Sequence, residues 1–275
     1  MDTLTSGISF SQLHSRLGSS KAPLLIDVRR NAAFETDTQM IAGATWRDPF
    51  AAADWAKFLP RHREVVVYCV HGHEISKNAA AVLAVSGIAA RHLEGGIEQW
   101  RASGGMLFNK QPLLKIPSAV NCPSVWVTRE RPKIDRIACP WLIRRFIDPF
   151  AEFLYVPPTE VMKIAVAQNA IAYDVPGVQF THRGDGCSFD ALIADFALND
   201  PSLADLAKIV RGADTAALEL TPQSPGLLAI SLGLSALYAD DHEMLAQGMT
   251  VYDALYAWLK SARAEIHNAD LFKKL

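Results

Sequence analysis

The sequence predicts an α/β protein in which a parallel sheet flanked by helices is followed by a mainly helical α+β second domain. Three observations carry that expectation. Up to Trp100, short runs of apolar and β-branched residues alternate with segments of helical spacing, the pattern of βαβ units. Between about 104 and 124 the periodicity stops, and Gly104, Gly105, Pro112, Pro117 and Pro123 punctuate the chain. Beyond it, a few short strand-like runs give way to four helical stretches. The expected boundaries are a first domain over 1–108, a linker over 109–123 and a second domain over 124–275.

In the first half, Ser9 or Ser11 can cap a short helix from Phe10 to Leu17, and Leu24 to Val28 reads as a buried strand ending in an Asp27/Arg29 pair. Val65 to Tyr68 is a second buried strand, too short and too β-branched for a helix. From Ser76, placed to cap, Ala79, Ala80, Leu83 and Ala84 fall at helical spacing. Cys69 thus ends a buried strand, in a short loop of Val70, His71, Gly72, His73, Glu74 and Ile75 that leads into a helix. Backbone N–H groups and the positive end of the helix dipole there favour thiolate over thiol.

The order of these pieces resembles the rhodanese (sulfurtransferase) domain over roughly residues 5–108. The matching parts are Asp27-Val28-Arg29, the later Gly43-Ala44, Tyr68-Cys69 with Gly72, and Leu93-Glu94-Gly95-Gly96 leading to Trp100. The resemblance implies a parallel sheet and a cysteine that carries sulfane sulfur as a persulfide, received from a sulfur donor and passed to a thiol acceptor. Members of that family usually place an Arg five residues after the cysteine, followed by Ser; this chain has Glu74 and Ile75. Without that Arg a fixed cation for an anionic donor such as thiosulfate is missing. A phosphatase-type loop, which needs an Arg six positions after its cysteine, is excluded by Ile75.

The second half opens with a strand from Val125 to Thr128. A helix over Ile134 to Phe146 contains Pro140, tolerable where the helix begins or kinks. Strands over 153–156 and 172–175 flank a helix over 160–168. Ser188, Asp200-Pro201 and Ser224-Pro225 then mark three helix starts, and the last helix runs from Asp241 to Trp258 with an interruption near Gly248. Arg131-Pro132, the run Asp135 to Phe146, Thr181 to Asp190, Arg211-Gly212-Ala213-Asp214, Asp240-Asp241-His242 and Val251 to Trp258 together resemble the chromate-resistance family related to ChrB, in its C-terminal domain. The resemblance implies a role in chromate resistance. Regulator members of that family carry a different, DNA-binding N-terminal region, so their regulatory role does not transfer.

Two polar constellations lie in this half. His182, Asp241 and His242, with Asp214 and Asp190 in reach as residue types, are the ligands of a divalent metal site built from imidazole and carboxylate. Arg131, Arg136 and Arg183 are suited to an oxyanion. Ordinary ion pairs and capping explain the same residues without a ligand.

Composition narrows the field. The net charge of −2 and pI near 6.4 give no global field for nucleic acid or an anionic membrane. The longest apolar stretch, 226–237, is too short for a bilayer, and the start lacks a secretory signal. Four cysteines without CxxC spacing argue against a disulfide framework or structural zinc, and place the chain in a reducing cytoplasm. The expectation is a sulfurtransferase-like protein of chromate resistance working through Cys69; the alternative is a non-catalytic metal- or oxyanion-binding, sensing protein of chromate stress.

Overall fold

β-Branched and apolar residues build the central strands, and the strands Val65–Tyr68 and Ala90–Leu93 each hand over to a helix, the first burying Ala79, Ala80 and Leu83 and the second Ile97 and Trp100. The computed structural model describes residues 6–112 and 123–265. In the first half the elements are β1 (Gly7–Ile8), α1 (Phe10–His14), β2 (Leu24–Asp27), α2 (Asn31–Thr36), β3 (Gln39–Ile41), β4 (Ala44–Trp46), α3 (Ala52–Trp55), β5 (Val65–Tyr68), α4 (Glu74–Val85), β6 (Ala90–Leu93), α5 (Gly96–Ala102) and β7 (Leu107–Asn109). Five strands form a wholly parallel sheet in the order β1-β6-β5-β2-β4. All residues of β2 and β5 are buried, as strands covered on both faces must be. β3 and β7 pair separately as an antiparallel ribbon. β7 ends at Asn109, the first residue of the expected linker, and residues 113–122 lie outside the described residues.

Of the two serines expected to cap α1, Ser9 holds the position, within a capping box: its side chain accepts from the Gln12 amide and the Gln12 side chain accepts from the Ser9 amide. Helix α4 buries Ser76, Ala79, Ala80 and Leu83, a stripe at i, i+3, i+4 and i+7. Its cap differs from expectation. His73 holds the N-cap position, and Ser76 lies inside the first turn with its hydroxyl donating to the His73 carbonyl at 3.2 Å.

The second half contains β8 (Val125–Arg129), α6 (Asp135–Phe146), β9 (Glu152–Val156), α7 (Val161–Ala167), β10 (Ile171–Ala172), α8 (Ser188–Asp195), α9 (Pro201–Asp214), α10 (Ser224–Leu237) and α11 (Asp241–Ala257), with a π turn over Trp258–Ala262. Its three strands are parallel in the order β10-β8-β9.

Pro140 sits inside α6 without ending it. Proline removes the bond that the Arg136 carbonyl would accept. Here the Tyr155 hydroxyl donates to that carbonyl at 3.3 Å and the Tyr173 hydroxyl at 3.5 Å, so the freed acceptor stays satisfied. Three other expectations are corrected. Cys187, not Ser188, is the N-cap of α8, with the Asp190 carboxylate accepting from its amide. Ser224 is the first residue of α10 after Gln223, and its buried hydroxyl donates to the Ile209 carbonyl. Helix α11 passes through Gly248 unbroken, because a bare Cα there admits Ile137, whose Cγ2 would lie 2.5 Å from any Cβ. Asp200 caps α9 as expected.

One apolar cluster runs through both halves, from Ile8 and Tyr68 to Trp141, Phe189 and Leu259. Polar seams accompany it. The Gly43 amide donates to the Phe146 carbonyl at 2.7 Å, Asn109 N–H to the Phe196 carbonyl at 2.8 Å, and Lys260 to the His14 carbonyl at 3.1 Å. Among the described residues no helix is long and apolar enough to cross a membrane.

Candidate functional site

Cys69 follows the last residue of β5 and sits at the C-terminal edge of the parallel sheet, where ligands of open α/β folds bind. Its Sγ lies 3.3 Å from the Oγ of Ser76, in the first turn of α4, so the sulfur rests beside a helix N-terminus whose first N–H groups have no partner within the helix. The residue is 6 % exposed. Val70 is half-buried and Gly72 buried, whereas His71, His73 and Glu74 face solvent. The two imidazole rings stand 5.9 Å apart at the rim.

The double glycine explains how this loop is held. Just after Gly96, the amides of Ile97 and Glu98 donate to the carbonyls of Cys69 (3.0 Å) and Val70 (3.2 Å). A Cβ on Gly96 would stand 2.4 Å from both carbonyl oxygens, and one on Gly72 would stand 2.6 Å from the Gly95 nitrogen. Both glycines have positive φ. The turn before α5 therefore clamps the cysteine loop by backbone contact that only glycine permits.

Below the loop, Asp27 and Arg29 form a fully buried ion pair at 2.6 Å. The Tyr68 hydroxyl donates to Asp27 at 3.1 Å and accepts from the Ile41 amide at 3.2 Å. Arg29 also reaches Asp37 and the Gln39 carbonyl. These bonds join β2, β3 and β5 and leave no free guanidinium for a substrate.

A second constellation is centred on His182. Its Nε2 lies 3.1 Å from Asp214 Oδ2, 3.5 Å from Asp174 Oδ1 and 3.6 Å from Asp135 Oδ2. Asp135, at the start of α6, accepts from the amides of Ser188 (2.5 Å) and Phe189 (3.2 Å) that open α8. Asp174 follows β10 in a left-handed conformation, accepts from the Ser188 hydroxyl at 2.9 Å, and pairs with Arg129 and Arg136. Asp214 ends α9, and the Asp135 amide donates to it at 3.4 Å. Burial, then the charges of Asp214 and Asp174, push the Asp135 carboxyl well above the usual carboxylate range. Burial and Asp174 move Asp214 in the same direction. Cys187 is fully buried, and burial with Asp135 and Asp190 nearby raises its thiol far above ordinary, which disfavours the thiolate.

The residues expected to hold a metal are only partly brought together. His182 is in the cluster; Asp241 and His242 are not. Asp241 accepts from the Arg131 amide at 3.0 Å, and the His242 ring packs edge-on against Tyr155 at 5.6 Å. Asp190 pairs with Arg211. Sequence reasoning misses Asp135 and Asp174, because nothing in their spacing links them to His182; their position at a helix start and just past a strand end is the available signal. The three arginines are also dispersed. Arg131 donates to the carbonyls of Ser235, Tyr238 and Ala239 at the end of α10, Arg136 to those of Arg129 and Glu130, and Arg183 to Asp195. Each guanidinium is engaged by protein oxygens, and the three do not converge on one oxyanion site.

Two family models match separate stretches of the chain. The rhodanese-like domain model matches residues 9–103, and the model described as ChrB, C-terminal domain, matches residues 126–259. Protein ChrB of Cupriavidus metallidurans is 36 % identical over 139 residues, which are 50 % of this chain and 41 % of that protein. The chain thus spans about two-fifths of the length of that curated relative. Among solved structures, a rhodanese-related protein of Thermoplasma volcanium is 27 % identical, covering 37 % of this chain and 96 % of its own, with a TM-score of 0.33. A rhodanese-like domain protein of Staphylococcus aureus is 25 % identical, covering 34 % and 90 %, with a TM-score of 0.31. Residues 9–103 are thus similar to rhodanese-like domains, and residues 126–259 to the C-terminal domain of ChrB.

Proposed function

We propose that this protein is a sulfane-sulfur carrier of chromate resistance, with Cys69 holding the transferred sulfur as a persulfide. The observation that carries the reading is the cradle: a sulfur at the C-terminal edge of a parallel sheet, beside the first turn of α4 and 3.3 Å from the Ser76 hydroxyl. The Cys69 thiolate attacks the outer sulfur of a donor persulfide, R–S–SH. The S–S bond of the donor breaks, RS⁻ leaves, and Cys69–S–SH forms. An acceptor thiolate then attacks the outer sulfur, taking it as R′–S–SH and returning Cys69 as thiolate. First-turn amides of α4 stabilise the sulfur anion, and the Ser76 hydroxyl adds a donor once its single proton turns from the His73 carbonyl to the thiolate.

The donor follows from the loop. Glu74 occupies the place where a cation would grip thiosulfate, and Arg29 is locked to Asp27, so a neutral or thiol-derived persulfide suits the site better than an oxyanion. Similarity to ChrB supports the chromate connection, with the chain working in a reducing cytoplasm. The test is mass spectrometry of the full chain after incubation with glutathione persulfide or thiosulfate. One sulfur should add to Cys69 from the persulfide, be removed by excess thiol, and be absent in Cys69→Ser. No adduct on Cys69 from either donor ends the proposal.

A further inference from the structure

We infer that Asp135, His182 and Asp214 form a binding site for one divalent first-row transition-metal ion. Their ligand atoms all lie within 4.8 Å of one another. The separations from the imidazole nitrogen are those of atoms sharing an ion. Two ligands each about 2.1 Å from one metal stand about 3.0 Å apart at a right angle and about 3.4 Å apart at the tetrahedral angle. Nε2 of His182 is 3.1 Å from Asp214 and 3.6 Å from Asp135. The 3.5–3.6 Å spacings to Asp174 and Asp135 are wide for an N–H···O bond, so hydrogen bonding does not account for the convergence.

Charge supports the same assignment. The side chain of Asp135 is 1 % exposed, and among the described residues neither it nor Asp214 forms an ion pair with any Lys or Arg. Buried carboxylates are found paired with a cation or bound to a metal. Arg129 and Arg136 serve Asp174, leaving two carboxylates facing one imidazole.

The surroundings hold the ligands as an outer shell does. The Ser188 and Phe189 amides fix the Asp135 carboxylate, and the Ser188 hydroxyl fixes Asp174, whose Oδ1 can serve as a fourth donor. The donors come from the start of α6, the loop before α8 and the end of α9, so the folded chain presents them preassembled. The His182 side chain is 43 % exposed, which gives an ion entry and leaves positions for water. One imidazole with two or three carboxylates suits Mn²⁺, Fe²⁺, Co²⁺ or Zn²⁺ rather than a thiolate-seeking ion.

The test uses the full chain, stripped with chelator and titrated with Mn²⁺, Co²⁺ and Zn²⁺ by calorimetry, with cobalt absorption in the visible as a second readout. One equivalent should bind. His182→Ala and Asp214→Asn should each weaken binding about tenfold or more and change the cobalt spectrum, while Cys69→Ser leaves both unchanged. His182 is partly exposed, so His182→Ala keeps its fold, checked by circular dichroism. Failure of wild type to bind any of the three ions overturns the proposal. So does binding that neither variant weakens, the result expected if exposed imidazoles such as His71 and His73 merely collect metal.

Discussion

Gly96→Ala is the sharpest probe of the clamp beneath Cys69. Two effects act on it. At φ +59 an L-residue costs about 1–2 kcal/mol relative to glycine, offset by about 0.4–1 kcal/mol because alanine restricts the unfolded chain. The second effect is steric: the new methyl would stand 2.4 Å from the carbonyl oxygens of Cys69 and Val70. Those carbonyls must move, weakening the bonds they accept from Ile97 and Glu98, each worth about 1 kcal/mol net. Gly104→Ala isolates the first effect, since Gly104 has φ +75 and no atom lies within 4 Å of the place its new methyl would take. Gly96→Ala should therefore be less stable than Gly104→Ala by about 2 kcal/mol or more. Urea unfolding followed by tryptophan fluorescence measures the difference. If the two variants agree within about 0.5 kcal/mol, the loop is not clamped by backbone contact and the account of the double glycine is wrong.

Three further outcomes are expected. Ser76→Ala should slow alkylation of Cys69 by iodoacetamide several-fold with little change in Tm, because it removes the hydroxyl that meets the sulfur; an unchanged rate would show that Ser76 only packs. Tyr155→Phe should cost about 1 kcal/mol, and less in a Pro140→Ala background, where a restored amide can serve the Arg136 carbonyl. A double-mutant cycle in denaturant reads this coupling, and strict additivity contradicts it. The Arg183 hydrogen bonds hold Asp195 below the usual carboxylate range. A carboxyl depressed by folding stabilises above its unfolded pKa of about 3.9, and that contribution disappears as pH falls through the lower folded value. Arg183→Ala should thus be slightly less stable than wild type near neutrality and converge with it in acid, a gap further narrowed by salt. Thermal scans across pH test this, and a gap independent of pH refutes it.

How much of the fold and the site is legible in the sequence depends on how local each signal is. Val65 to Tyr68, the Gly72 loop and the stripe through Ala79, Ala80 and Leu83 are contiguous, so period and turn chemistry place Cys69 at a strand–helix junction. Serine favours the cap position, which is why the sequence points to Ser76 there; the chain instead turns at His73, and the Ser76 hydroxyl faces the sulfur. Pro140 signals a helix start or kink because the two tyrosines that repair it, Tyr155 and Tyr173, are remote in sequence. His182 is recognisable as a ligand type, but its neighbours are chosen by the packing of α6, α8 and α9. Asp241 and His242, adjacent to each other and plausible by composition, are carried elsewhere by α11.

The apolar cluster that passes from the five-stranded sheet into the helices around Trp141 has a practical consequence. Severing the polypeptide at the join would strip hydrocarbon bare on both fragments, and each would be prone to precipitate. Heating the intact molecule should give one calorimetric transition. A substitution that lowers the stability of the five-stranded sheet should lower the melting temperature of the helical half by the same amount, because both share one core.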